Sequence, residues 1–469
     1  MSGQSGTFWN RTLTRLRDWR GEDISVVRPL SVAPSLADSD IATIRRQIDA
    51  CLDGHGGAVT TRLRAAELGR AYLALNDDGK ERFFRILAQH YDTDPEAIGA
   101  AIESYTSAGD DAARFPAREA LRRALVAPRV ELLTQFNSLD RGVKFLVDMR
   151  ADLLRLLRKA PDLAGVEEDL QNLLRGWFDV GFLEMAQITF NAPAALLEKL
   201  IAYEAVHAIR SWDDLKNRLD SDRMCFSFVH PNMPDEPLIF VEVALVKGIA
   251  GNVAVLLDEA TPSMEPEEAD TAIFYSISNC QKGLAGVAFG DFLIKRVVSR
   301  LSRRLPNVKT FATLSPIPGF RRWLEGELAG EADVLGESEG RMIRAMSRQK
   351  TVNAGLKALL DDPRWADEPE IETGLREHME RLAARYLVNA KDGRGRPVDP
   401  VARFHLNNGA RVERLNWLGD RSPAGMRQSY GMMVNYLYKL DDIEKNHESY
   451  RGEGRVVASS RVAKLARSS

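Results

Sequence analysis

The stiffest setting for a reactive side chain in this sequence is L-S-P-I-P-G-F, residues 314–320. Pro316 and Pro318 lock their own φ at about −65° and push Ser315 and Ile317 out of the helical region. Ser315 is therefore a hydroxyl held in place, suited to orienting one hydrogen bond. It is a poor acyl nucleophile: it lies outside G-x-S-x-G, and the proline after it has no N–H to offer an oxyanion hole. A second setting is N-C-Q-K-G-L-A-G-V-A-F-G, residues 279–290, where Gly283, Gly286 and Gly290 separate a strand-like run from a helix-like one. Small residues there let backbone N–H groups surround a phosphate, and a helix start adds partial positive charge. The spacing is neither G-x-G-x-x-G nor G-x-x-x-x-G-K-[ST]. A phosphate cradle and a simple tight turn both remain open. The Cys and His residues have no C-x-x-C or H-E-x-x-H companion, so a metal centre is not expected.

The elements that must position these groups differ between the two halves of the chain. From about residue 40 to 190 the apolar residues recur at helical spacing; Ile41, Ile44, Ile48 and Leu52 make one stripe. Asp94-Pro95 reads as an N-cap followed by proline at the first helical position, and residues 76–79 punctuate two helices. Past residue 222 come short β-rich runs, P-L-I-F-V-E-V-A-L-V, N-V-A-V-L-L-D, T-A-I-F-Y-S-I-S, V-K-T-F-A-T-L, R-V-E-R-L-N-W-L and G-M-M-V-N-Y-L-Y. They are interrupted by the helix-like G-D-F-L-I-K-R-V-V-S-R-L-S-R-R-L-P. Its apolar stripe is Leu293, Val297, Leu301 and Leu305, and Lys295, Arg296, Arg300, Arg303 and Arg304 occupy the rest of its surface. Those cations are either a solvated face or a hold for further phosphates. The expected division is an all-helical domain over 1–180 and a mixed α/β domain over 181–450 with a helical insertion at about 321–390. Residues 391–400 read as a flexible loop, and 451–469 as a disordered tail.

With 469 residues the chain is too long for one core. Lys and Arg number 64 against 67 Asp and Glu, a net charge of −3, which gives no reason to expect nucleic acid or an anionic membrane as partner. No apolar run approaches the roughly 18 residues of a membrane span. Cys51, Cys225 and Cys280 are odd in number and far apart, which points to a reducing compartment. The N-terminus has no apolar signal segment and the last residues carry no organelle address, so a cytoplasmic location is expected.

Strand, Q-K-G-L-A-G loop and helix together resemble the acyl-CoA site of the GNAT acyltransferase fold. The usual Gln or Arg three residues before the glycine is here Cys280, with Gln281 next to it. Longer stretches are more specific: Y-E-A-V-H-A-I-R-S-W-D-D-L-K-N-R-L (203–219), C-F-S-F-V-H-P-N-M-P-D-E-P-L-I-F-V-E-V-A-L (225–245), 272–298, F-A-T-L-S-P-I-P-G-F-R-R-W-L (311–324) and 404–438. In this order they resemble the malonyl-CoA decarboxylase family. The resemblance implies a helical N-terminal domain followed by a GNAT-like acyl-CoA domain, a homo-oligomer, expected to be a tetramer, malonyl-CoA as substrate and acetyl-CoA as product.

It also implies a catalytic pair, Ser315 to orient the carboxylate and His405 to protonate the thioester enolate. CoA would be held by Ser278, Gln281, Lys282, Gly283, Leu284, Ala285 and Gly286, and Ser276, Asn435 and Tyr438 would line the acyl end. The chemistry needs no cofactor, because the thioester itself delocalises the carbanion. Two other readings use the same features. A CoA-dependent acyltransferase would need an acceptor channel and would leave malonyl-CoA intact without acceptor. A non-catalytic acyl-CoA sensor would bind without turnover.

Overall fold

The structure is a computed structural model that describes residues 30–53, 57–178, 180–287, 290–362 and 364–467. The chain forms two compact units. One comprises residues up to Glu184 together with Val229–Pro237 and Gln281–Ala288; the other comprises Met185–Phe228, Leu238–Cys280 and Phe289–Ser469. The first unit thus takes in two segments from the middle of the sequence.

The first unit is built from α1 (Asp38–Leu52), α2 (Gly57–Ala74), α3 (Asp77–His90), α4 (Pro95–Ser107), α5 (Asp111–Ala124), α6 (Pro128–Asn137), α7 (Gly142–Leu156) and α8 (Ala164–Trp177). Its helix starts follow capping chemistry: Asn76 accepts from the Gly79 N–H at 2.9 Å, and Asp94 from the Glu96 N–H at 2.9 Å with Pro95 first in the helix. Ile44 and Ile48 are buried with Cys51, and Tyr72, Phe83, Phe84, Phe136 and Phe145 form an edge-to-face aromatic core. The α4 and α5 pair is different: it buries Ala101 and Ala117, and leaves Ile102, Tyr105 and Phe115 exposed.

Residues 281–287 dock on this unit. A Cβ on Gly283 would lie 1.7 Å from the Val147 carbonyl oxygen, so the position admits only glycine, and buried Arg150 donates to the Gly283 carbonyl at 2.7 Å. His230 orders the hairpin tip, accepting from the Asn232 N–H at 3.1 Å while its other ring nitrogen meets the Trp177 carbonyl at 3.0 Å.

The second unit carries an eight-stranded sheet. Its strands are β1 (Glu184–Ile188), β2 (Arg223–His230), β3 (Met233–Val246), β4 (Thr271–Asn279), β5 (Thr310–Thr313), β6 (Ser315–Pro316), β7 (Arg411–Asn416) and β8 (Met433–Leu437). Their order is β1-β2-β3-β4-β5-β8-β6, with β7 also on β8. The β4–β5 pair is parallel and spans only Thr271–Phe274 against Thr310–Thr313.

Beyond Phe274 the ladder between them ends, and β5 and β6 instead continue along β8, through Ala312 opposite Leu437 and Ser315 opposite Val434. The helices of this unit are α9 (Ala194–Tyr203), α10 (Trp212–Asn217), α11 (Val253–Leu256), α12 (Gly290–Arg304), α13 (Phe320–Leu328), α14 (Glu337–Ser347), α15 (Val352–Asp361), α16 (Pro369–Val388), α17 (Pro400–Asn407), α18 (Pro423–Ser429), α19 (Ile443–Glu453) and α20 (Ser460–Arg467). The α12 crossover joins the parallel pair, as parallel strands require, and buries Leu293, Val297, Leu301 and Leu305.

Two expectations are corrected. N-V-A-V-L-L-D is not a strand: Asn252 accepts from the Ala254 and Val255 N–H groups and starts α11 instead. Residues 451–467 are not a disordered tail. Val462 and Ala466 of α20 are buried, the Ala466 carbonyl accepts from Asn389, and Ser459 donates to the Glu413 carbonyl at 2.7 Å. The composition is polar, but a short apolar stripe on α20 suffices to seat it.

Candidate active site

Ser315 lies on β6, where it is 5% exposed, and the ladder with Val434 fixes its backbone. His405 comes from α17. Asp399 caps that helix by accepting from the Val401 and Ala402 N–H groups at 2.9 Å, with Pro400 in the first position, and the histidine falls in its last turn. The chain then turns through Gly409 at φ +79°, where a Cβ would lie 2.2 Å from the Ile443 carbonyl oxygen. Asp399 and Gly409 therefore set both ends of the segment that presents the imidazole.

The two side chains meet. Ser315 Oγ is 3.2 Å from His405 Nε2, and the opposite ring nitrogen, Nδ1, is 2.7 Å from the Tyr438 hydroxyl. Ser315 Oγ donates to Thr313 Oγ1 at 2.9 Å, and Thr313 Oγ1 also accepts from the Tyr436 N–H at 3.1 Å. Since the serine's single proton goes to the threonine, the histidine contact must be a donation from Nε2–H. Nδ1 is then the acceptor for the Tyr438 O–H. All hydrogen bonds in the row point one way, from Tyr438 through His405 and Ser315 to Thr313.

The Tyr436 ring stacks on the imidazole at 4.5 Å and 25°. Burial pushes the His405 pKa down to about 3 and raises that of Tyr438 well above its ordinary value. The resting imidazole is therefore neutral at physiological pH, and a proton carried on it needs a nearby anion.

The other expected residues fall into separate groups. Ser276 and Ser278 both donate to the carboxylate of Glu204, at 2.7 to 2.9 Å, and Glu204 also accepts from the Val206 and His207 N–H groups. Asn435 donates to the carbonyls of Thr313 and Ala250 at 2.7 and 2.9 Å and accepts from Arg414 and Asn416, so its amide is taken up within the protein. In the loop, Gln281 is buried and donates to the Pro237 carbonyl, Gly283 and Leu284 are buried, and Lys282, Ala285 and Gly286 are exposed. Gly286 adopts a left-handed φ of +76°, and α12 begins at Gly290.

Three residues escaped the sequence reading. Thr313 and Tyr436 carried a usable signal, each lying two residues from a named site residue and so on the same face of its strand. Glu204 had none, being 72 and 74 positions from the serines it holds.

Comparison with known proteins bears on the whole chain. The malonyl-CoA decarboxylase C-terminal domain matches residues 181–469, and the malonyl-CoA decarboxylase N-terminal domain matches residues 91–178. Mitochondrial malonyl-CoA decarboxylase of Anser anser anser is 38% identical over 85% of this chain and 82% of its own length. Two solved structures of malonyl-CoA decarboxylase are also similar. That from Rhodopseudomonas palustris is 42% identical with a TM-score of 0.83, covering 90% of this chain and 99% of the other. That from Agrobacterium vitis is 41% identical with a TM-score of 0.82, again over 90% and 99%. With both halves matched in order and the fold shared over nine-tenths of its length, the chain belongs to the malonyl-CoA decarboxylase family.

Proposed function

We propose that this protein decarboxylates malonyl-CoA to acetyl-CoA and CO2, with Ser315 and His405 as the catalytic pair. The observation that carries the reading is the one-way row of hydrogen bonds, because it leaves the Nε2 proton of His405 and the hydroxyl of Ser315 together on rigid elements. In the reaction the bond from the α-carbon to the carboxylate breaks and its electron pair passes into the thioester as an enolate. CO2 leaves, and the α-carbon takes one proton. When substrate binds, the Ser315 hydroxyl turns from Thr313 to donate to the departing carboxylate and orient it out of the thioester plane, and His405 delivers the proton.

Burial keeps His405 neutral at rest. The arriving carboxylate is the anion that raises its proton affinity, so one proton is taken up with the substrate and spent on carbon. Tyr438 holds the ring by its far nitrogen. Ser276, Ser278 and Asn435 shape the acyl end through Glu204 and the β8 ladder, and the exposed Lys282, Ala285 and Gly286 of the 281–286 loop contact the phosphates of CoA.

The thioester is its own electron sink, so the proposal includes no cofactor. The exposed apolar residues of α4 and α5, Ile102, Tyr105 and Phe115, support a homo-oligomer, and we assign a tetramer. Cys51, Cys225 and Cys280 are buried and form no disulfide, which supports a reducing, cytoplasmic setting. Among the described residues no helix is long and apolar enough to cross a membrane.

The test is purified protein with malonyl-CoA and no acceptor, followed by mass spectrometry. Stoichiometric acetyl-CoA supports the reading. Intact malonyl-CoA with CoA still bound overturns it in favour of an acyltransferase or a sensor.

A further inference from the structure

Residues 203–219, and residues 417–427 within the 404–438 stretch, supply none of the groups in the catalytic row. Within the second unit they meet around a cavity of about 680 Å³, a size usual for small-ligand sites. Its polar and apolar features are separated. Val253, Ala254 and Leu257 give one apolar wall. Arg210 and Arg427 line the exposed side, and among the described residues neither guanidinium has a carboxylate or carbonyl partner.

The other charges of the lining are mostly occupied. Arg218 is paired with Asp214 and Glu242, and Arg421 with Asp367. Asp214 also accepts from the Arg210 N–H, and Asp420 accepts from the Ser422 N–H. Two guanidiniums with no partner among the described residues give the cavity an anion-binding side. The carboxylates of Asp420 and Glu259 on the same lining oppose a multiply charged phosphate.

We infer that this cavity binds a short-chain monocarboxylate, its carboxylate on Arg210 and Arg427 and its apolar tail on Val253, Ala254 and Leu257. None of the residues that line it belongs to the catalytic row, and the inference is independent of whether the protein turns over malonyl-CoA.

The experiment is isothermal titration of the full chain with butyrate while acetyl-CoA saturates the CoA site, repeated with inorganic phosphate and with the Arg210→Ala/Arg427→Ala double variant. Saturable binding of one butyrate, weakened roughly tenfold or more by the double variant, supports the site. Arg427→Lys, which keeps a positive charge, should restore part of the loss when made alone. Both arginines are exposed, so the variants should keep the wild-type unfolding transition. Three results overturn the proposal: no saturable butyrate binding, binding unchanged in the double variant, or phosphate binding as tightly as butyrate. Because the readout is binding, it stands or falls without reference to decarboxylation.

Discussion

Thr313 and Ser315 stand two residues apart with their hydroxyls 2.9 Å from one another, so the serine's proton is committed to the threonine and its oxygen is left facing His405. Thr313→Val keeps the shape and removes the acceptor. The serine hydroxyl is then free to rotate and donate to Nε2, reversing the polarity of the row. We expect kcat to fall about tenfold, the effect of roughly 1–1.5 kcal/mol from one misdirected buried hydrogen bond, with KM little changed. Thr313→Ser should recover most of the rate. Steady-state kinetics on malonyl-CoA decides it, and equal loss in the Val and Ser variants would count against a directional role.

Tyr438 and His405 give a related expectation. Tyr438→Phe removes the donor to Nδ1 without changing the ring packing, leaving a buried nitrogen unsatisfied. Turnover should drop by a factor of roughly ten to a hundred, while CoA affinity stays near wild type. A variant that binds malonyl-CoA and turns it over at the wild-type rate would remove Tyr438 from the site.

The low pKa of His405 makes stability depend on pH with a definite sign. The unfolded chain protonates this histidine below about pH 6.5, whereas the folded chain resists until about pH 3. Between those values the unfolded state binds the extra proton, so stability falls as pH falls, by at most roughly 1.4 kcal/mol per pH unit. His405→Gln should flatten that part of the curve. Chemical denaturation of both proteins at pH 4.5, 5.5 and 7.5 measures the difference in slope. His207, His230 and His378 are also held low by burial and contribute equally to both proteins, so the difference isolates His405.

Gly283→Ala is expected to be costly although alanine is small. Its Cβ would fall 1.7 Å from the Val147 carbonyl oxygen, a backbone atom that cannot swing aside. Docking of residues 281–287 on α7 should weaken by about 1–3 kcal/mol or more, seen as a lowered urea midpoint and faster proteolysis within the loop. Lys282→Ala, at an exposed position, should leave the midpoint unchanged and serves as the control.

How much of this was visible beforehand varies with the range of the interactions. The helical first half was legible because Ile44 and Ile48 repeat at helix spacing and Asn76 and Asp94 mark starts locally. The stiffness of Ser315 was legible from the two prolines that follow it, and the pairing with His405, 90 positions away, came from family resemblance. Periodicity gave nothing on Glu204, whose serines lie more than 70 residues on, and it misread 252–258 because the cap from Asn252 outweighs the β preference of its valines. The sequence left Gly283 open between a phosphate cradle and a tight turn, and the carbonyl of Val147 on α7 lies where a side chain at that position would go. A glycine's reason is invisible until its neighbour is known.

Arg150 is 1% exposed, bound on one side to Glu167 and on the other to the carbonyl of Gly283, 133 residues later. A ribosome releases the chain from the N-terminal end, at a pace of about 5–20 residues per second. For several seconds after α8 has emerged, this guanidinium is already drawn toward Glu167 but its last acceptor has not been made. The helical unit is then incomplete, and it closes only when residues 281–288, its own last segment in the sequence, have been made. A nascent chain stalled before residue 283 should therefore be more protease-sensitive around α7 than one stalled after residue 320.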